Sequence, residues 1–136
     1  MRFETEQDLI RERKAIEVFA KTFGVEYVKL DPHDVDYKIL KDGQPIAYAD
    51  VKGRIRTMND AYPLPIAVRK LVKLMDKRLD PVVIWACEDG IIYGKASKLY
   101  GQIRLGGRTE RTGSAHDSEL MAYYEKQENL KYVRYV

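Results

Sequence analysis

Val35-Asp36-Tyr37-Lys38-Ile39-Leu40, then Lys41-Asp42-Gly43-Gln44, then Pro45-Ile46-Ala47-Tyr48-Ala49-Asp50-Val51-Lys52 is the stretch on which the fold turns. Both flanks are rich in β-branched and aromatic residues and read as strands. The Asp42-Gly43 pair between them is the strongest short-range hairpin signal in the chain. Asp36 interrupts an otherwise good strand, while Asp50 and Lys52 close the next one. Side chains two apart in a strand share a face, so Asp50 and Lys52 project together. The turn lies at comparable distances from Asp36 and Asp50, so pairing brings the two acids side by side.

Upstream, residues 5–23 read as a helix. Leu9, Ile16, Phe19, Ala20 and Phe23 recur on one stripe, and Gly24 supplies a stop. Glu12 falls within that stripe, where a carboxylate is costly unless it is paired or bound to a metal. Glu17 sits off the stripe and reads as solvated. Residues 25–30 read as a strand, and Asp31-Pro32-His33-Asp34 as a turn.

Downstream, residues 53–63 form a polar connection. A second helix is expected over residues 65–79, with Pro65 in its first turn. Its apolar face would be Val68, Leu71, Val72 and Met75. Val82 to Cys87 is a continuous apolar run, as in a strand buried on both faces. Residues 91–95 would pair with it across Glu88-Asp89-Gly90. Residues 101–116, rich in Gly, Arg and Thr, read as a loop. A short helix over 118–126 and a strand over 130–136 complete the expectation. Three strands, a crossover helix and a further strand imply an α/β fold with a mixed sheet and helices on both faces.

The 136 residues suit a single domain, 1–136, with 45% apolar and 33% charged residues, which excludes a disordered chain. No apolar run reaches the roughly 18 residues that span a bilayer, so no membrane role is expected. Met1 to Glu6 has no signal-peptide core. The single cysteine, Cys87, excludes an internal disulfide and a cysteine-based zinc site, and a reducing cytoplasmic setting is expected. Charge is unevenly placed. Residues 1–50 carry 8 Lys/Arg against 11 Asp/Glu, a balance of −3, and residues 51–136 carry 16 against 10, a balance of +6. That division suits a carboxylate site beside a surface that attracts polyanions.

Three acids and a lysine at strand ends are what metal-assisted phosphodiester hydrolysis needs. Hard oxygens from Asp36 and Asp50 suit Mg²⁺, which keeps several waters and uses few carboxylates. Lys52 would orient or deprotonate the attacking water, or neutralise a phosphate oxygen. Glu12 would hold the metal's water shell or a second ion.

Glu12, Asp36 and Asp50-Val51-Lys52, laid on a helix and a β-hairpin, resemble the PD-(D/E)XK nuclease superfamily across about residues 8–95. Val35 stands where the family often has proline, and the second helix lacks a Gln-x-x-x-Tyr signature. The resemblance implies a restriction-endonuclease-like core, a central mixed sheet of four to five strands flanked by helices, with the site where strands diverge. It implies a DNA endonuclease using Mg²⁺, with Mn²⁺ as a substitute. Asp36, Asp50, Glu12 and the Val51 carbonyl would be metal ligands, and Glu12, Asp36, Asp50 and Lys52 the catalytic set.

Arg54 and Arg56 leave the third strand beside Lys52. With Arg69, Lys70 and Lys73 on the second helix and Arg108 and Arg111 in the Gly-rich loop, they are candidate phosphate contacts. Solvated charges account for the same residues equally well. Asp36 paired to Lys38 or Lys52 would be a plain strand-edge acid. The rival is a non-catalytic nucleic-acid-binding or assembly protein that reuses the nuclease fold. A homodimer would let two sites cut two strands, and a recruiting partner protein would supply specificity to so small a domain.

Overall fold

The computed structural model describes residues 5–107 and 118–136. The first helix, α1 (Glu6–Phe23), starts at Thr5, whose hydroxyl accepts from the Asp8 N–H while the Asp8 carboxylate accepts from the Thr5 N–H. Its buried face is Ala15, Ile16, Phe19 and Ala20. Leu9 and Phe23, expected on the same stripe, are exposed.

Three antiparallel strands follow: β1 (Glu26–Lys29), β2 (Tyr37–Lys41) and β3 (Gln44–Gly53). The β2–β3 turn has φ of 51° at Asp42 and 77° at Gly43, the paired positive values that an Asp-Gly hairpin favours. Beyond β3 come β4 (Leu64–Ala67), α2 (Val68–Met75), β5 (Asp80–Ala86) and β6 (Gly90–Lys95). Then follow β7 (Gln102–Gly107), β8 (Ser118–Tyr124) and β9 (Lys131–Arg134).

Among the described residues, the strands form two sheets. The larger has six strands in the order β1-β2-β3-β5-β6-β9, with β3 and β5 parallel and its other neighbours antiparallel. The smaller is antiparallel, in the order β4-β8-β7. The protein is thus a mixed α/β fold, with a wider main sheet than the four to five strands expected.

Three local expectations are corrected. Residues 64–67 are strand, and α2 begins only at Val68. Pro65 is tolerated there because β4 is an edge strand. The helix ends at Met75, short of the expected residue 79, and its buried residue is Leu74, while Val72 and Met75 are exposed. Part of the expected 101–116 loop is β7. The expected 118–126 helix is instead strand β8, held on both edges by β4 and β7. Its Glu, Leu, Met and Ala favour helix, but two flanking strands override propensity.

The strand β5 joins the layers. Val82, Ile84 and Ala86 pack with α1, while Val83, Trp85 and Cys87 face Leu74 of α2 and Leu64, Ile66, Ala122 and Tyr124 of the small sheet. The Trp85 indole N–H reaches the Pro65 carbonyl at 2.8 Å, tying the two sheets together. Cys87 is buried, and burial pushes its thiol up to about 11, so it is an inert core residue. No helix among the described residues is long and apolar enough to cross a membrane.

Ile84 lies fully buried in the β5–α1 layer. Ile84→Ala is expected to lower unfolding free energy by about 2–5 kcal/mol. Urea unfolding followed through Trp85, the one tryptophan in the chain, checks this.

Candidate functional site

The β2–β3 ladder runs as far as Tyr37 opposite Ala49, while β3 continues along β5 to Gly53 opposite Ala86. The sheet therefore forks just beyond Tyr37. At the fork, carboxylates replace the missing ladder bonds. The Asp36 N–H donates to Asp50 Oδ1 at 2.9 Å, and the Val51 N–H donates to Asp36 Oδ2 at 2.8 Å. The Asp36 carbonyl in turn accepts from the Leu30 N–H at 2.9 Å.

Asp50 is only 3% exposed, and its Oδ2 is buried without a hydrogen-bond partner. Such an atom is costly unless something meets it.

Glu12 approaches from α1. Its Oε2 accepts from the Tyr37 hydroxyl at 2.9 Å and pairs with Lys29 Nζ. Burial and the Glu12 charge push the Tyr37 hydroxyl strongly upward. Burial, and then the Asp50 charge, raise Asp36 to about 6, against the opposing Val51 N–H. Asp50 is raised chiefly by burial. Glu12 adds to both shifts, and Lys70 of α2 opposes both. The site is an acidic cluster whose charge is opposed by Lys70, which lines the same hollows as Asp36.

Two hollows open on this cluster. The larger, about 310 Å³, is lined by Arg11, Glu12, Asp36, Lys52 and Lys70, among others. The smaller, about 90 Å³, is lined by Asp36, Asp50, Lys52, Lys70 and Glu119, among others. Asp36, Lys52 and Lys70 thus stand between two openings. Among the described residues, no group of three or more His, Cys, Asp or Glu side chains is gathered closely enough to hold a metal. The structure sets Asp36 and Asp50 together and Glu12 nearby, with Glu12 engaged by Lys29 and Tyr37.

The candidate phosphate contacts separate. Half-buried Arg54 donates from Nε to the Ala61 carbonyl at 2.9 Å and from Nη2 to the Pro63 carbonyl at 3.4 Å, bracing that segment. Arg56 pairs with Asp60, and Arg69 with Glu119 of β8. Lys73 donates to the His33 carbonyl at 2.6 Å. Lys70 is the α2 cation that lines both hollows. Arg108 and Arg111 lie outside the described residues. Arg11 and Glu119 were missed by sequence reasoning. Arg11 adjoins Glu12 but carries no pattern of its own, and Glu119 fell in a segment read as helix.

No family model, curated protein or solved structure matches the chain. What fold and site define is a mixed α/β protein with a buried aspartate pair at a strand fork.

Alanine at Asp36 or Asp50 would leave a backbone N–H without its acceptor, whereas asparagine removes charge and keeps an acceptor. In chelator-treated protein, the folded state holds the Asp36 proton more tightly than the unfolded state, whose carboxyl titrates near 4. Stability is therefore expected to fall as pH rises from about 4 through about 6. Asp36→Asn should flatten that decline. Urea midpoints of both proteins across this window check it, and parallel profiles would contradict it.

Proposed function

We propose that the chain is a Mg²⁺-dependent endonuclease that hydrolyses DNA phosphodiester bonds, as the PD-(D/E)XK resemblance implies. The observation that carries this reading is the orphaned Oδ2 of Asp50, buried beside Asp36 in an acidic cluster. A cation at that atom would supply the missing partner and relieve the crowding of like charge. The element order gives further support. A helix, a three-stranded meander, a second helix and a strand parallel to the third suit a restriction-endonuclease-like core, to which β6, β9 and the small sheet would be additions.

The donor set suits a hard divalent ion. Mg²⁺ keeps most of its waters and needs only one or two carboxylates, so it does not require a cage of three protein ligands. Asp50 and Asp36 would hold it, with Glu12 on the water shell and the Val51 carbonyl added by the resemblance. When bound, such an ion supplies a water of lowered pKa and offsets charge on the phosphate. Lys52 shares the β3 face with Asp50 and would orient that water or neutralise a phosphate oxygen. Arg11 and Lys70, one from each helix, would hold the flanking backbone. Mn²⁺ is expected to substitute for Mg²⁺.

The rival reading is a non-catalytic nucleic-acid-binding or assembly protein. It is favoured by the bonds from the Asp36 N–H to Asp50 and from the Val51 N–H to Asp36, which give each acid a structural task without any metal.

A supercoiled-plasmid assay separates the two. Mg²⁺ or Mn²⁺ is expected to support nicking, and EDTA to stop it. Asp50→Asn should abolish cleavage, and Lys52→Ala should lower the rate by about 10²–10⁴-fold. Binding without metal-dependent nicking would sustain the rival.

A further inference from the structure

On the small sheet, one face of β8 runs away from the acidic cluster. Glu119 and Met121 line the smaller hollow beside Asp36 and Asp50. Tyr123, about 7 Å further along the same face, lines a separate cleft of about 280 Å³. Tyr100, Gln102, Arg104 and Glu125 also line that cleft. The pairing explains the grouping: Gln102 of β7 is opposite Tyr123, and Arg104 is opposite Met121.

Two features of the cleft have no part in packing the core. The Arg104 guanidinium lies 4.2 Å from the Tyr123 ring centroid, a cation stacked on an aromatic face. Gly106 leaves room for this ring, since a side chain there would collide with the Tyr123 hydroxyl. Tyr100 is 71% exposed, yet its backbone is held on both sides. Its N–H donates to Gln127 Oε1 at 2.9 Å, and its carbonyl accepts from Gln127 Nε2 at 2.9 Å. The same Nε2 also donates to the Glu125 carbonyl at 3.1 Å. Because the loop backbone is already ordered, a stack on the exposed Tyr100 ring needs no further ordering of that backbone.

We propose that this cleft binds an unpaired nucleotide of the same nucleic acid whose backbone lies at Asp36 and Asp50, with its base stacked on Tyr100. The inference rests on the nucleic-acid reading of the acidic site and gives that site a preference for a substrate with a single-stranded tract. A nucleobase suits the lining. Tyr100 offers its ring face, Arg104 meets the adjoining phosphate, and Gln102 and Glu125 offer donors and acceptors to the base edge. A fully paired duplex keeps its base faces stacked inside and has none to offer Tyr100.

The test is fluorescence anisotropy in EDTA, with a single-stranded oligodeoxynucleotide of about 12 nucleotides and a blunt duplex of the same length. Tyr100→Ala is expected to weaken single-strand binding by about 5- to 150-fold, the range for one lost base stack, and to leave duplex binding unchanged. Tyr100→Phe, which keeps the ring, should bind like wild type. Wild-type affinity in Tyr100→Ala, or equal loss on both ligands, would overturn the inference. Protein that passes this test but, with Mg²⁺ or Mn²⁺, cuts neither a plasmid nor a duplex carrying a single-stranded gap would sustain the cleft and sink the hydrolase. Protein that nicks yet ignores Tyr100→Ala would sink the cleft alone.

Discussion

Two hydrogen bonds at the fork between β2 and β3 hold the candidate site together. Each aspartate accepts a backbone N–H from the other strand's end, Asp36 from Val51 and Asp50 from Asp36 itself. The strands can therefore part at this point without leaving either amide unpaired. The same exchange uses one oxygen of each carboxylate and fixes the other. At Asp50 the remaining oxygen is buried and unmet. A structural bond thus orients the atom on which the proposed chemistry depends.

The rest of the fold keeps that fork in position. The central strand β5 is packed on both faces, so β3, its parallel neighbour, has a rigid backing along its length. Helix α1 brings Glu12 and Arg11 to one opening, and α2 brings Lys70 between both. Burying carboxylates is costly, repulsion from neighbouring acids adds to that cost, and the rise in the Asp36 and Asp50 pKa values expresses both. The flanking cations relieve part of it. Folds tolerate such crowding where a site needs it.

The legible parts of the sequence were those with strong local signals. Asp42-Gly43 announced its hairpin because few residues besides Gly, Asn and Asp accept the positive φ of such a turn. The apolar run from Val82 announced a doubly buried strand. Glu12 was legible as an acid on an otherwise apolar helix face, and it does lie beside the aspartate pair. The small sheet was not legible. Leu64 to Ala67 and Ser118 to Tyr124 become strands only because they meet each other across more than fifty residues, and no local pattern records such a partner. Arg54 was misleading for a similar reason. It leaves the strand next to the site, but the carbonyls that hold it belong to the segment that follows.

The proposed site requires that the unmet oxygen of Asp50 be a cation ligand. A crystal soaked in Mn²⁺ and measured for anomalous scattering tests it most directly. A peak is expected about 2 Å from Asp50 Oδ2, with an Asp36 oxygen in the same coordination sphere. Clean density for both carboxylates with no peak between them, in crystals that take up Mn²⁺ elsewhere, would contradict it.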